Sequence, residues 1–376
     1  MMTPRHCLLL VAVVAVSMSG CRTPQVESPR VELYQTVAGF DRPESCSVSL
    51  DGRYVFVSNC ASGEYGPNRH FALARGRGAI SKLAVSEHGI LTMVDPRFVD
   101  GITAPLGQSP LPVATKRFPR GAIFVNTGFF MQTDAAGEYI RDSAQLQTGV
   151  SIFDAESGAI LGFIPLGWGS AVAERTGAGL LVPNGLTFDA EGNLYLGETG
   201  GSNTITEPNM VSPGGVLRID RAAIDALADG GDHAGVRFVV LPGTNGVLFD
   251  PERQAVLAVT CSGDPTADGV YGIPVADFGS TPAQPKILGL DPLDGIVRLP
   301  SGRYLCSTMT GGLLAANLQD RRAWSLHLPD GLTLESPSDI KLLHTADGNI
   351  LLLVPEQEHL SPERWAQRLR VFRVLE

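Results

Sequence analysis

The chain has 376 residues, 44% hydrophobic and 18% charged, a composition that excludes a disordered polymer and leaves room for one large domain or two ordinary ones. Gly at 43 and Pro at 26 favour many short strands over long helices. A formal net charge of −10 with no basic stripe excludes a nucleic-acid binder, whose phosphate contacts need clustered Lys and Arg.

The N-terminus reads as a targeting segment. Arg5 lies in a short basic region, an apolar run follows from Cys7 to Val16, and small residues precede Cys21. The run is too short to cross a bilayer comfortably. Met18-Ser19-Gly20-Cys21 resembles a bacterial lipobox with Met where Leu is usual, which implies cleavage before Cys21 and lipidation of that residue. A plain secretory signal or an N-terminal anchor helix is the alternative. Arg22 rather than Asp after the cysteine implies the outer membrane, so the expected location is an exported lipoprotein on its periplasmic face. The expected layout is a signal peptide over 1–20, a lipidated Cys21 and tether over 21–30, and one folded unit over 31–376. Of the other cysteines, Cys46, Cys60, Cys261 and Cys306 allow three disulfide pairings or four buried thiols, and their spacing chooses none of these.

Six related hairpins follow in chain order. They begin at Arg42 ("RPESCSVSLDGRYVFVSN"), Ser109 ("SPLPVATKRFPRGAIFVNTG"), Pro183 ("PNGLTFDAEGNLYLGETGG"), Gly243 ("GTNGVLFDPERQAVLAVTC"), Pro292 ("PLDGIVRLPSGRYLCSTMTGG") and Ser336 ("SPSDIKLLHTADGNILLLVPE"). A small polar residue opens each, followed by an alternating strand, a tight turn and a more apolar strand. A second pair of strand candidates lies between copies, such as "GAISKLAVS" with "ILTMVD" and "GVLRID" with "VRFVVLPG". Four strands per unit repeated radially is the propeller pattern. The last unit has only "LRVFRVLE" after its hairpin, so "VELYQTVAGF" at 31–40 is its missing fourth strand. The expected fold is therefore all-β, a six-bladed β-propeller closed by pairing of the N- and C-terminal strands. Two stacked sandwiches would not explain this split.

In that topology the innermost strand of each blade starts at one face, here called the top. Tight turns such as Asp51-Gly52 and Glu191-Gly192 fall at the bottom. The long irregular stretches, among them "CASGEYGPNRHFALARGRG", "GITAPLGQSP" and "WGSAVAERTGAG", fall on the top, where loops on a rigid scaffold carry function. The helical stretch "DRAAIDALADGG" reads as decoration at the bottom.

The polar residues at the hairpin mouths converge on the upper end of the channel: Glu44, Asn184, Asn245, Asp294 and Asp339. Carboxylates and amides offer oxygen ligands only, which suits a hard divalent cation, Ca²⁺ before others, and argues against a dedicated zinc site. Taken singly, Asn or Asp before Gly is a turn former; four in order make a shared site. Glu44 in "RPES", Asn184 in "PNG", Asn245 in "TNG" and Asp294 in "LDG" resemble the metal pattern of the SMP-30/gluconolactonase/LRE-like propellers, over essentially the whole chain from Val31 to Glu376. The resemblance implies Glu44, Asn184, Asn245 and Asp294 as metal ligands, with Asp294 also as general base. It also implies a metal-dependent hydrolase acting on a small-molecule lactone or related ester. Asp339 reads as a turn residue outside the ligand set. The long gap from Glu44 to Asn184 departs from the family pattern and is ascribed to insertions in the first two blades, which would reshape the substrate pocket.

Arg69, His70, Lys116 and Arg117 are further candidates for binding an acidic group of the substrate. No G-x-S-x-G elbow, phosphate loop or dinucleotide fingerprint is present. The competing reading is a non-catalytic, surface-tethered propeller that binds a ligand or protein and carries a structural cation. A strictosidine-synthase-like propeller ranks last.

Overall fold

The structure is a computed structural model that describes residues 29–60, 73–74, 76–128, 132–134, 136–177, 179–206, 209–329, 331–357 and 367–376. The lipobox with Cys21, and the loop candidates Arg69 and His70, lie outside the described residues. Among the described residues no helix is long and apolar enough to cross a membrane.

Six four-stranded antiparallel sheets form the body. Lettered A to D from the axis outward, blade 1 is Pro43–Val48, Tyr54–Asn59, Gly78–Val85 and Leu91–Ile102, and blade 2 is Pro105–Pro110, Ile123–Thr127, Gly149–Phe153 and Ile160–Pro165. Blade 3 is Pro183–Phe188, Leu194–Glu198, Gly215–Ile219 and Val236–Val240, and blade 4 is Thr244–Asp250, Ala255–Thr260, Gly269–Pro274 and Gln284–Leu288. Blade 5 is Leu293–Arg298, Tyr304–Thr308, Gly312–Asn317 and Arg322–Ser325. Blade 6 takes Lys341–His344, Ile350–Glu356 and Arg368–Leu375 from the end of the chain, and its D strand, Arg30–Ala38, from the beginning. That closing pair runs from Arg30 opposite Leu375 to Ala38 opposite Arg368, with one bulge between Leu33 and Gln35. The six-bladed ring and its closure agree with the expectation.

The apolar residues do not collect at a single centre. Six buried clusters each join two neighbouring blades, such as Phe56, Ile80, Ile123 and Phe153 between blades 1 and 2, and Tyr195, Val216, Val247 and Val256 between blades 3 and 4. Alternating strands bury side chains on both faces of a blade, so the hydrophobic core is itself a ring. The axis is left for polar groups.

Three sequence expectations need correction. Blade 2 begins its A strand at Pro105, not Ser109, so "PLGQSP" is strand rather than top-face loop, and residues 111–122 become a long A–B connection at the bottom. "WGSAVAERTGAG" contains a short helix, Ala171–Thr176, capped by the Ser170 hydroxyl accepting from Ala173 N at 3.1 Å and closed by Gly177 at φ 73°. The helix Arg221–Ala228 is more than decoration: Ala223, Ile224 and Leu227 are buried in the cluster that joins blades 2 and 3. On the top face, Leu73–Ala74 pairs in parallel with Gln132–Thr133, linking the insertions of blades 1 and 2.

Candidate metal centre

The A strands of blades 1 to 5 bring Glu44, Leu106, Asn184, Asn245 and Asp294 to equivalent positions at the upper end of the axis, and Asp339 joins them from the segment just before blade 6's A strand. Ladder register identifies the equivalent positions. In blades 1 to 5 the A–B pairing slips at this point, between Pro43 and Ser45, Pro105 and Gln108, Pro183 and Leu186, Thr244 and Val247, and Leu293 and Ile296. A bulge of this kind re-aims the side chain that a regular strand would turn into the blade.

The next residue in each strand shows how closely the blades approach. A methyl group built on Gly107 would stand 2.3 Å from the Asn184 carbonyl oxygen, and one on Gly185 would stand 2.7 Å from Gly246 Cα. On Gly246 it would stand 2.3 Å from the Asp294 carbonyl oxygen, and on Gly295 2.5 Å from Ile340 N. Glycine is required by space at these four positions. The ring closes where Asp339 N donates to Glu44 O at 3.1 Å.

Five buried side-chain oxygens among the described residues have no hydrogen-bond partner: Glu44 Oε2, Asn126 Oδ1, Asn184 Oδ1, Asn245 Oδ1 and Asp294 Oδ1. Four of them belong to the ligand set expected from the sequence. The nitrogen end of each amide is engaged: Asn184 Nδ2 donates to Thr199 Oγ1 at 3.4 Å, Asn245 Nδ2 to Cys261 Sγ at 3.5 Å, and Asn126 Nδ2 to Gly185 O at 3.2 Å and to Asn184 O. These contacts fix which end of each amide is the stranded acceptor. A buried acceptor without a donor costs about 1–3 kcal/mol, a cost that an ordered water or a bound cation removes. Among the described residues no group of three or more His, Cys, Asp or Glu is placed to hold a metal ion, so a cation here would have to be held by the amide oxygens as well.

The electrostatics point the same way. Burial, then the charges of Asp294 and Asp339, push the Glu44 carboxyl well above its usual range, while Lys341 pulls it back. Burial and Asp339 push Asp294 up to about 8, against the opposing pull of the Asn245 amide and Lys341. Both shifts favour the neutral carboxyl, and a positive charge placed beside the pair would oppose them. Oxygen ligands of both kinds fit a hard divalent ion.

Asp339 stands in the ring, and its Oδ2 is engaged, accepting from Ser45 Oγ at 2.7 Å and from Lys341 Nζ at 2.7 Å. Lys341 was not singled out from the sequence, where it reads as the polar phase of an alternating strand. Leu106 is the apolar member of the ring and packs with Cys60, Ala104, Val182 and Met210. Its place between Glu44 and Asn184 accounts for the long gap between those residues: a whole blade intervenes.

Lys116 and Arg117 are not brought to the centre. They lie in the A–B connection of blade 2, at the bottom face. The backbone N–H of each donates to Asp225 Oδ2, at 2.9 and 3.2 Å, and the Arg117 guanidinium pairs with Asp229. All four described cysteines are free, and burial pushes Cys261 and Cys306 up to about 12, so they are protonated thiols.

No protein-family model matches the chain, and no curated protein matches it. Solved structures of similar fold include proteins described as gluconolactonases, a luciferin-regenerating enzyme and sugar dehydrogenases. A gluconolactonase from Xanthomonas campestris is 13% identical with a TM-score of 0.55, over 93% of this chain and 96% of the other. A luciferin-regenerating enzyme is 12% identical with a TM-score of 0.56, over 93% and 96%. A PQQ-bound aldose sugar dehydrogenase from Streptomyces coelicolor is 14% identical with a TM-score of 0.56, over 93% and 99%. At such identities the likeness is one of fold, and these relatives carry both hydrolytic and redox chemistry.

Proposed function

We propose that the chain is an exported, metal-dependent hydrolase of a lactone or related ester, with the cation held by Glu44, Asn184, Asn245 and Asp294. The observation that carries this reading is the coincidence of those four side chains with four of the five stranded buried oxygens. The lactonase-like neighbours make a small-molecule substrate plausible on the same scaffold. The ion is proposed as Ca²⁺ on the chemistry of its donors, with other divalent ions as alternatives to be assayed.

When bound, a divalent cation supplies Lewis-acid polarisation of a carbonyl. The chain's own groups do the rest. The bulged A strands aim the donors, the glycines let adjacent A strands approach closely, and the apolar blade interfaces keep water out of the walls. Asp294 has the base role. As a carboxylate it could both help to hold a cation and accept the proton of an attacking water. The Asp339–Lys341 pair sets the charge beneath the carboxylates.

Purified chain beginning at Pro29, stripped with chelator, is assayed with δ-valerolactone, D-glucono-δ-lactone and phenyl acetate in the presence of Ca²⁺, Mn²⁺ or Zn²⁺. The proposal expects turnover that needs a cation and disappears in Asp294→Ala. Cation binding without turnover of any lactone or ester would favour the non-catalytic binding propeller. Attachment of lipid at Cys21, and through it to the periplasmic face of the outer membrane, is part of the same proposal. Incorporation of labelled palmitate into the full chain and its loss in Cys21→Ala test it.

A further inference from the structure

We infer that Asn126 supplies blade 2's oxygen to the candidate cation centre, in the sector where Leu106 offers none. The inference rests on the reading of the centre given above.

The penultimate residue of the B strand has a recurring task. In blade 1, Ser58 Oγ donates to the Leu106 carbonyl of blade 2 at 2.8 Å. In blade 5, Ser307 Oγ donates to the Ser338 carbonyl, in the segment that opens blade 6, at 2.7 Å. In blade 2, Asn126 Nδ2 donates to the Asn184 and Gly185 carbonyls of blade 3. Each bond fastens a blade to its successor beside the ring. In blade 3 the same position is Gly197, where a methyl group would stand 2.4 Å from Asn245 O, so the strands touch directly.

A serine is sufficient for this latch, as blades 1 and 5 show. An asparagine adds a second polar atom, and Asn126 Oδ1 is stranded in a fully buried residue. A stranded carbonyl is a cost that the latch does not require. Every other stranded buried oxygen among the described residues belongs to Glu44, Asn184, Asn245 or Asp294. The peptide that Asn126 fastens is that of Asn184 itself. Ca²⁺ takes six to eight oxygens, more than four side chains provide one atom at a time, so a fifth protein oxygen has a use. Asn126 fills it either directly or through one water.

The test is calorimetric titration of calcium chloride into chelator-stripped chain beginning at Pro29, for wild type, Asn126→Ser and Asp294→Ala. Asn126→Ser keeps a hydroxyl for the latch and removes the amide oxygen. The inference expects about tenfold or greater loss of Ca²⁺ affinity at unchanged stoichiometry, with a Tm in chelator equal to wild type or higher, because the stranded oxygen is gone. Wild-type affinity in Asn126→Ser would reduce the residue to a latch and overturn the inference while leaving the centre intact. A wild type that binds no Ca²⁺, indistinguishable from Asp294→Ala, would overturn the centre and this assignment together. Asn126→Thr makes the same comparison if the serine variant does not fold; failure of both to fold would show that packing governs the position and would also overturn the inference.

Discussion

Gly246 lies so close to Asp294 that a methyl group on its Cα would stand 2.3 Å from the Asp294 carbonyl oxygen. The contact makes the spacing of two consecutive donors, Asn245 and Asp294, a property of backbone packing. Gly246→Ala therefore has to push blades 4 and 5 apart at the ring. The expected result is a folded protein destabilised by about 1–3 kcal/mol with at least tenfold weaker cation binding, read by urea melts and calcium titration. Unchanged affinity would mean that the ring tolerates widening.

The raised carboxyls predict how stability depends on pH. Asp294 is pushed up to about 8 by burial and Asp339, and Glu198, buried under the Leu181 and Val182 amides, up to about 7. Both titrate near 4 when unfolded. Folded protein therefore holds protons that the unfolded chain has released, and stability falls as pH rises from about 4 through those folded values. The opposite case, Asp51 and Asp347 held at about 2, adds stability that is lost only as pH falls below about 4. In chelator, Tm should decline between pH 5 and pH 8, and Asp294→Asn should flatten the upper part of that decline. Saturating Ca²⁺ should remove most of it, since the ion replaces the protons. A chelated Tm that climbs steadily to pH 8 would contradict this account.

Lys341 is the counter-charge of a buried carboxylate, with Nζ 2.7 Å from Asp339 Oδ2. Removing one member of such a pair strands the other. Lys341→Met is expected to cost about 3–5 kcal/mol in chelator, and the double variant Asp339→Asn/Lys341→Met should recover much of that. Equal losses in the single and double variants would show that the pair contributes nothing as a pair.

The closing strand offers a test of the fold. Val31 is buried in the cluster between blades 5 and 6, and Val37 in the one between blades 6 and 1. A chain beginning at Gly39 loses both and exposes the Arg368–Leu375 edge. It should unfold without a cooperative transition and aggregate, whereas the chain beginning at Pro29 should melt in one step.

Much of this architecture can be read from the residues, because strand, turn and repeat signals recur at blade spacing and the terminal strands each lack a partner. Four of the stranded oxygens are legible as polar side chains at the hairpin mouths of blades 1, 3, 4 and 5. Blade 2 hides its share. Pro105-Leu106-Gly107 has the form of Pro183-Asn184-Gly185 with the polar residue replaced, so a search keyed on a polar mouth passes over it and settles on Ser109. Asn126 had a signal of its own, a primary amide in the otherwise apolar "IFVNT" whose residues are all buried. Lys341 had a weaker one, two residues after Asp339 in an alternating strand where a lysine ordinarily faces solvent.

The central claim is that the stranded oxygens of Glu44, Asn184, Asn245 and Asp294 are a cation site, and the most direct measurement is the melting temperature of the chelator-stripped chain beginning at Pro29, with and without 1 mM Ca²⁺ as a roughly saturating dose, beside Asp294→Ala. The account predicts a rise of several degrees in wild type and none in the variant, because a ligand bound only by the folded state must stabilise it. The same melting curve for wild type in chelator, Ca²⁺, Mn²⁺ and Mg²⁺ would contradict it and return these side chains to the role of turn formers around an empty channel.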